Sequence, residues 1–200
     1  MKPFLKILLP ILIILLSANG FSHHPPVEKE LTAETNHSTL LFSVPIAGGL
    51  TKVTGKFNSY KIDIDLIDND WTKSRIRANI AVNSIDTGID GRDEHLLTAD
   101  FFDVENYPEI TFVSERIEKT EHGFTAYGNF SMHGVSKLIK VPFTITGVDG
   151  ENTIGLSAKL TLNRIDYGVG TDFEHSAIDN FLADNINIEI DFWTKKRKEQ

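Results

Sequence analysis

The chain has 200 residues, 40% of them apolar, which is enough for one globular domain with a substantial core. Its formal net charge of −8 argues against nucleic-acid binding, because that binding needs lysine and arginine side chains facing phosphates. The chain has no cysteine, which excludes a disulfide framework and a lipid carried on an N-terminal cysteine.

Residues 1–20 predict a cleavable signal peptide. Two lysines precede an apolar stretch from Ile7 to Leu16, and the small residues Ala18 and Gly20 follow it. The apolar stretch is shorter than the ~20 residues that a membrane-spanning helix needs. Cleavage after Gly20 and export to the periplasm are therefore favoured over an uncleaved membrane anchor.

Polar segments flank the predicted domain of residues 39–193. Residues 21–38 contain Pro25-Pro26 and predict a flexible leader. Residues 194–200 form a basic tail, which we interpret as a solvated terminus rather than a contact with anionic lipid. We expect no nucleic-acid partner and at most a transient membrane contact.

Apolar and polar residues alternate from Leu40 onward, which predicts strands with one buried face. The alternation shifts by one residue at Asn58-Ser59, where a turn or bulge is expected. The alternating runs cover residues 40–46, 53–57, 62–66, 76–82, 110–117, 124–132, 139–145, 154–162 and 186–192. About eight strands with short connections predict a closed antiparallel sheet, and a two-sheet sandwich is the alternative.

The stretch RDEHLLTADFFDVENYPEITF, residues 92–112, interrupts this alternation. Acidic residues near its start favour a helix, and the spacing of Leu97 and Phe101 puts them on one side of it. Tyr107-Pro108 ends the interruption, because the residue before proline is pushed to extended geometry. We predict that the stretch covers one end of the barrel, with one of Phe101 and Phe102 in the lumen and the other against the rim.

Small residues on the apolar faces raise the question of whether the barrel is hollow. Ala78, Ala126, Gly128 and Ala158 lie where larger inward side chains are expected. An eight-stranded barrel holds either packed side chains or one small ligand. The small residues leave volume for a ligand or make room for phenylalanine in a filled core, and the residues alone leave both open.

Catalytic and metal sites have little support. The charges of Arg92–His95 are adjacent in sequence, so on a helix they point in different directions and favour a structural role over acid–base catalysis. The seven histidines lack zinc-binding spacing, no nucleophile motif occurs, and no cofactor is expected. Arg164 and Asp166 share a face of an extended chain and predict either an ion pair at the rim or a contact with a ligand headgroup.

Several strings resemble the YceI family of bacterial exported lipid-binding proteins. They are VTGKF (53–57), SIDTG (84–88), RDEHLLTADFFDVENYPEITF (92–112), YGNFSMHGVSK (127–137) and NRIDYGVG (163–170). The resemblance implies a lipocalin-like eight-stranded antiparallel barrel with a short helix near one mouth, and a polyisoprenoid or similar chain bound in the lumen. The chain departs from the family pattern at Pro45-Ile46-Ala47, where many relatives have a histidine.

The sequence and the resemblance together predict a lipid carrier or reservoir that is not an enzyme. The ligand is expected to be a polyisoprenoid or an isoprenoid quinone. An enzyme acting on a lipid or quinone in the same barrel and a filled-core interaction module are the alternatives. The predicted lumen and mouth residues are Phe42, Val44, Phe57, Ile64, Ala78, Ile80, Leu97, Phe101, Phe102, Phe112, Ala126, Gly128, Phe130, Phe143, Arg164 and Tyr167.

Overall fold

The computed structural model describes residues 28–198, in which strands form one sheet and one α-helix lies beside it. The strands are β1 (Glu28–Ala33), β2 (Thr39–Ile46), β3 (Thr51–Phe57), β4 (Tyr60–Ile67), β5 (Asp70–Ala81), β6 (Ile85–Asp86), β7 (Glu109–Thr120), β8 (Gly123–Met132), β9 (Val135–Asp149), β10 (Thr153–Asn163) and β11 (Asn185–Lys196). The helix α1 spans Asp90–Leu96, and short 3-10 helices span Thr35–His37, Ala47–Gly49, Val82–Ser84 and Ile165–Tyr167. The predicted signal peptide and residues 21–27 lie outside the described residues, as do residues 199–200.

The sheet closes into an eight-stranded antiparallel barrel. Three barrel strands are each built from two consecutive pieces: β1 with β2, β3 with β4, and β5 with β6. The first piece, β1, pairs with β4 on one side and β11 on the other, which completes the ring. Closure gives every strand of residues 28–198 except the two-residue β6 a partner on both sides. The predicted barrel is confirmed and the two-sheet sandwich is excluded.

The barrel begins earlier than predicted. The expected flexible leader reaches residue 38, but Glu28–Ala33 form β1, and Leu31 is completely buried. Glu34 then accepts hydrogen bonds from the backbone N–H groups of Asn36 and His37 and caps the 3-10 helix between β1 and β2. The leader prediction is wrong for residues 28–38, because the strand EKELTA contains too few apolar residues to show a period.

The predicted solvated tail is also wrong for residues 194–197. Thr194 is buried within β11, and Arg197 lies against the outer wall. The guanidinium of Arg197 is 3.1 Å from Glu30 and 2.8 Å from Asp65. Burial alone raises the pKa of Asp65, but hydrogen bonds and charges from Arg77 and Arg197 outweigh it and hold that pKa below its ordinary value. The C-terminal part of the chain therefore closes the barrel by pairing β11 with β1, and Arg197 extends across β1 to β4.

Tight turns connect neighbouring strands where the chain supplies residues that tolerate positive φ. Asp68 and Asn69 have φ of 55° and 56° between β4 and β5, and His133 and Gly134 have φ of 50° and 74° between β8 and β9. Such pairs suit the two-residue turns that match the twist of a hairpin. The predicted irregularity at Asn58-Ser59 is confirmed as the bend between β3 and β4.

Inward and outward side chains alternate along the strands, as pleating requires. At one end of the barrel Trp71, Phe124 and Phe143 pack together, with ring centroids 5.5 Å apart for Trp71–Phe143 and 5.4 Å for Phe124–Phe143. Ile64 and Leu66 are buried at the same end. We call this the closed end. The opposite end, which carries α1, is the mouth.

No helix among residues 28–198 combines the length and the hydropathy that a bilayer crossing requires.

Candidate functional site, the barrel lumen and its mouth

A cavity of about 290 Å³ occupies the barrel between the closed end and α1. Ligand pockets commonly measure about 300–1,000 Å³, so the cavity is at the lower end of that range and suits a slender molecule. Ala78, Ala126 and Ala158 line it. These small side chains therefore leave space in the lumen rather than room for packed phenylalanine, which excludes the filled core.

The lining is apolar along the strands. Among the described residues, the ionisable side chains that line the cavity are Arg92, His95 and Arg164, and all three lie at the mouth. No carboxylate of the described residues lines the cavity, so it contains no acid–base pair of the kind that general catalysis uses. The cavity can exclude water from an apolar chain and offer positive or hydrogen-bonding groups where the chain ends.

Most of the predicted site residues line this cavity. They are Phe42, Val44, Phe57, Ala78, Ile80, Phe101, Phe102, Phe112, Ala126, Phe130, Phe143 and Arg164. The period of two therefore predicted the inward faces well enough to locate the lumen wall.

Three of the remaining predicted residues are buried or half-buried outside the lining. Ile64 is packed into the closed end, and Tyr167 lies with its ring edge-to-face on Phe130, which separates it from the cavity. Leu97 follows α1, and Leu96 lines the cavity in its place. The helix ends at Leu96, so the predicted helical pairing of Leu97 with Phe101 does not form.

Gly128 is the fourth exception, and its role differs from the predicted one. A Cβ atom on Gly128 would lie 2.3 Å from the carbonyl oxygen of Val113 and 2.8 Å from a ring carbon of Phe112. This close approach occurs where the β7–β8 register shifts between Ser114 and Arg116. The glycine permits the bulge in the wall and supplies no space for a ligand.

The helix α1 is anchored to the end of β6 through Thr87. The carboxylate of Asp93 accepts hydrogen bonds from the Thr87 backbone N–H, at 3.0 Å and 3.1 Å, and from its hydroxyl. Arg92 donates from Nε to Thr87 Oγ1 and from Nη2 to the Thr87 carbonyl oxygen, both at 2.7 Å. Arg92 and Asp93 stand at the start of residues 92–112, which we call the mouth segment. Their side chains hold α1 in place, which agrees with a structural role.

The two phenylalanines of the mouth segment face different neighbours. Phe101 is buried, with its ring centroid 5.0 Å from His95 and 5.3 Å from Phe173. Phe102 is half-buried, and its ring meets Phe57 edge-to-face at 6.3 Å. Phe101 thus joins the helix to the loop that follows β10, while Phe102 faces the lumen wall. Both side chains also line the cavity, so the predicted division of the pair between rim and lumen stays a prediction.

Arg164 binds the loop of residues 165–184. Its guanidinium donates to the carbonyl oxygens of Val169, Gly170, Leu182 and Ala183 and lies 3.4 Å from the Asp184 carboxylate. Burial lowers the pKa of Arg164, and Asp184 opposes that effect. An arginine nevertheless stays charged at neutral pH.

The predicted ion pair between Arg164 and Asp166 is wrong. Asp166 lies 2.9 Å from Lys137 instead, because the 3-10 helix Ile165–Tyr167 turns its side chain away from Arg164. Arg164 uses its donors on the protein itself, so a headgroup contact by this side chain is not expected either.

Residues from three of the segments that resemble the YceI family, 92–112, 127–137 and 163–170, are in contact beside the mouth. The His133 ring packs on Tyr107 with centroids 4.8 Å apart, and its Nδ1 lies 3.0 Å from the Tyr167 carbonyl oxygen. A Cβ on Gly134 would lie 2.6 Å from the Tyr107 ring. Burial raises the pKa of Tyr167, and the charge of Asp166 acts in the same direction. These residues hold three loops together and leave the cavity itself apolar.

The sequence analysis missed the loop that completes the mouth. Phe173, Phe181 and Leu182 line the cavity, although residues 171–184 contain no regular strand. Their only signal is that they are large apolar residues in an otherwise polar stretch. A bridge between Ile46 and Leu182 attaches this loop to the end of β2.

Comparisons with known proteins agree with this geometry. A family model described as the YceI-like domain matches residues 31–193. A UPF0312 protein of Yersinia enterocolitica is 26% identical over 149 residues, which cover 72% of this chain and 77% of the relative.

Two solved structures share the fold. BcnA of Burkholderia cenocepacia is 20% identical with a TM-score of 0.71, and the alignment covers 80% of this chain and 98% of BcnA. A polyisoprenoid-binding domain from Saccharophagus degradans is 16% identical with a TM-score of 0.67, over 84% of this chain and 98% of that domain. At these identities the likeness shows a common barrel architecture.

Proposed function

The chain belongs to the family of YceI-like domains, and from this premise we propose that it holds one long apolar lipid in its lumen. The lipid is an isoprenoid chain, either a polyisoprenoid or an isoprenoid quinone, and the protein acts as its carrier or reservoir in the periplasm. The polyisoprenoid-binding domain of Saccharophagus degradans, which has the same barrel, supports this choice of ligand class.

The observation that carries the proposal is the distribution of polarity in the cavity. Apolar side chains line the barrel strands, and the polar lining groups of the described residues lie at the mouth. A molecule that matches this arrangement has a long apolar chain and one polar end. Its transfer from water into the lumen is favourable by about 25 cal/mol for each Å² of apolar surface removed from water.

Binding without catalysis follows from the same lining. An enzyme acting on a lipid or quinone in this barrel would need acid–base groups at the reacting atoms. Arg92 and Arg164 donate hydrogen bonds to the protein, and His95 lies 3.2 Å from Asp100 on the exposed side of the mouth. These groups are occupied in holding the mouth together, so sequestration is the function we assign to the site.

Native mass spectrometry of the purified protein, followed by lipid extraction, tests the proposal. We expect a complex of one chain with one lipid, and an extract that contains an isoprenoid. The variant Ala78→Phe fills the lumen and should lose the lipid. Val113→Phe places the same side chain on the outer face of the adjacent strand and should keep it. Lipid-free wild-type protein, or equal lipid content in both variants, would contradict the proposal.

Export to the periplasm is the second part of the proposal and rests on the N-terminal segment of lysines followed by a short apolar stretch. Expression in a bacterial host followed by fractionation and N-terminal sequencing tests it. We expect a periplasmic protein that begins near Phe21. A protein that retains Met1 in the membrane fraction would show that the segment is an anchor.

A further inference from the structure

A second pocket lies at the closed end of the barrel, behind the lumen. It measures about 310 Å³ and is found among the turns that join β4 to β5 and β9 to β10. Leu66, Trp71, Ile145, Val148 and Ile154 form its apolar walls. The lumen and this pocket are therefore arranged one behind the other along the barrel.

The layer between the lumen and the second pocket is one side chain thick. Along β9, Phe143 lines the lumen, and the next inward residue, Ile145, lines the second pocket. Along β10, Leu156 lines the lumen and Ile154 lines the second pocket. Two residues of a strand span only about 7 Å. The separation of the two spaces therefore depends on the side chains that fill this one level.

Trp71 is the largest side chain in this layer. It is 8% exposed and lines the second pocket, while its ring packs against Phe143 at 5.5 Å and against Phe124 at 6.0 Å. Phe124 and Phe143 are stacked on each other at 5.4 Å. Of the three rings, Phe143 lines the lumen and Trp71 lies behind it against the second pocket, so a chain coming from the mouth would meet a floor of Phe143 backed by Trp71.

We propose that Phe143 and the Trp71 ring behind it, supported by Phe124, form the stop that sets the length of chain the lumen accepts. The inference rests on the proposed function, since it needs a chain that enters from the mouth. Along β10, the lining residues run from Leu156 at the floor to Arg164 at the mouth. With about 3.3 Å per residue and a strand tilt of about 40°, this corresponds to a lumen roughly 20 Å deep.

A stop of this kind has a measurable consequence for affinity. Each methylene group that becomes buried tightens Kd about fourfold. Once the chain reaches the floor, additional carbon atoms remain outside the mouth and tighten Kd little further. The affinity should therefore rise with chain length and then level off at a length set by the floor.

The test uses linear isoprenoid alcohols of increasing length, which compete with a fluorescent apolar probe for the protein. In the wild type, Kd should fall with length and then become constant. Trp71→Ala opens the floor toward the second pocket, so its affinity should continue to rise for alcohols beyond the wild-type limit. The opposite change, Ala158→Phe, raises the floor from within the lumen and should move the limit to shorter alcohols.

Val82→Ala is the control. Val82 is buried in the 3-10 helix that follows β5, at the other end of that strand from Trp71, and it lines neither space, so its loss weakens packing without opening the floor. It should keep the wild-type length limit. An unchanged limit in Trp71→Ala, or the same shift in Val82→Ala, would overturn the stop. If Trp71→Ala does not fold, an unchanged limit in Ala158→Phe overturns it.

The failure of the proposed function would look different. A wild type that binds no alcohol of any length would contradict lipid binding itself. A wild type that binds every alcohol with affinity that never levels off would leave lipid binding intact and remove the stop.

Discussion

The two ends of the barrel are built in different ways. At the closed end, Trp71, Phe124 and Phe143 pack ring against ring, and Ile64 is completely buried. At the mouth, the wall is completed by a short helix and an irregular loop, and large apolar side chains such as Phe102 border empty space.

This difference indicates which end of the barrel stabilises the fold and which end admits a ligand. Tightly packed apolar side chains contribute most of the free energy of folding, whereas binding sites are drawn from the parts of a structure that open at low cost. The closed end supplies a floor and a stable core. The mouth supplies access for a ligand, and the polar contacts of Arg92, Asp93 and Arg164 hold it together with the packing of Phe101.

The largest expected effect on the free energy of unfolding is the difference between truncating a side chain at the closed end and truncating one in the lumen wall. Ile64→Ala removes a completely buried side chain and should lower the free energy of unfolding by about 2–5 kcal/mol. Leu160→Ala removes a side chain that already borders the cavity, so it loses fewer contacts and should cost about 1 kcal/mol. Urea unfolding of both variants measures the difference. Equal losses would mean that the lumen wall is packed as tightly as the closed end.

A second prediction tests how the mouth loop is held. Arg164→Lys keeps the charge but cannot reproduce the planar set of donors that reaches four carbonyl oxygens. We expect a loss of about 2 kcal/mol, since a hydrogen bond to a charged group contributes roughly 1.5–3 kcal/mol.

Hydrogen exchange locates that loss. Amides of residues 165–184 should exchange faster in Arg164→Lys, while those near Trp71 should be unchanged. Uniformly faster exchange along the whole chain would show that Arg164 supports the entire fold rather than the mouth.

Within the phenylalanine pair, Phe102→Ala should have the smaller effect on stability and an effect on the rate of ligand release. Phe102→Ala removes a half-buried ring that faces the lumen, so it should cost about 1 kcal/mol of stability and speed ligand release about tenfold. Phe101→Ala removes a buried ring that joins α1 to Phe173 and should cost about 3 kcal/mol. Stopped-flow dilution of a bound fluorescent lipid gives the rates. Large, equal stability losses with unchanged release rates would refute the division of roles.

The smallest effect concerns the outer wall near the closed end. Arg197→Gln removes the ion pair with Asp65 and should cost about 1 kcal/mol at pH 7. The pKa of Asp65 is lowered in the folded protein, so its contribution is complete above the ordinary value of about 3.9 and is lost as pH falls through the folded pKa. The stability difference between wild type and variant should therefore shrink as the pH falls through the folded pKa of Asp65. A difference that persists in strong acid, where the carboxylates are protonated, would mean that Arg197 acts through packing.

Regular alternation was sufficient to predict the barrel and most of its lining, because a half-buried strand shows its inward face as a period of two. Strands and lining residues could not be predicted where the sequence shows no period of two. The strand Glu28–Ala33 owes its place to pairing with β4 and β11, which are distant in sequence. The loop that carries Phe173 and Phe181 lines the cavity through tertiary contacts alone.

Two individual errors have local causes. Gly128 was predicted to leave space, but the backbone of β7 fills that space at a register shift that one sequence does not reveal. Leu97 was predicted to share a helical face with Phe101, but α1 ends at Leu96, so a spacing of four no longer puts the two side chains on one side.

Photo-crosslinking with chain-labelled lipids tests whether an apolar chain lies along the lumen, because it locates each end of the bound chain. Two isoprenoid alcohols would be used, one with a diazirine at the far end of the chain and one with a diazirine next to the hydroxyl. We predict that the first labels residues near the floor, such as Phe143 and Leu156, and that the second labels Leu96 or Phe102 at the mouth. Labels from both probes on outward side chains such as Leu138 and Trp193, or on one and the same end of the barrel, would contradict an apolar chain lying along the lumen.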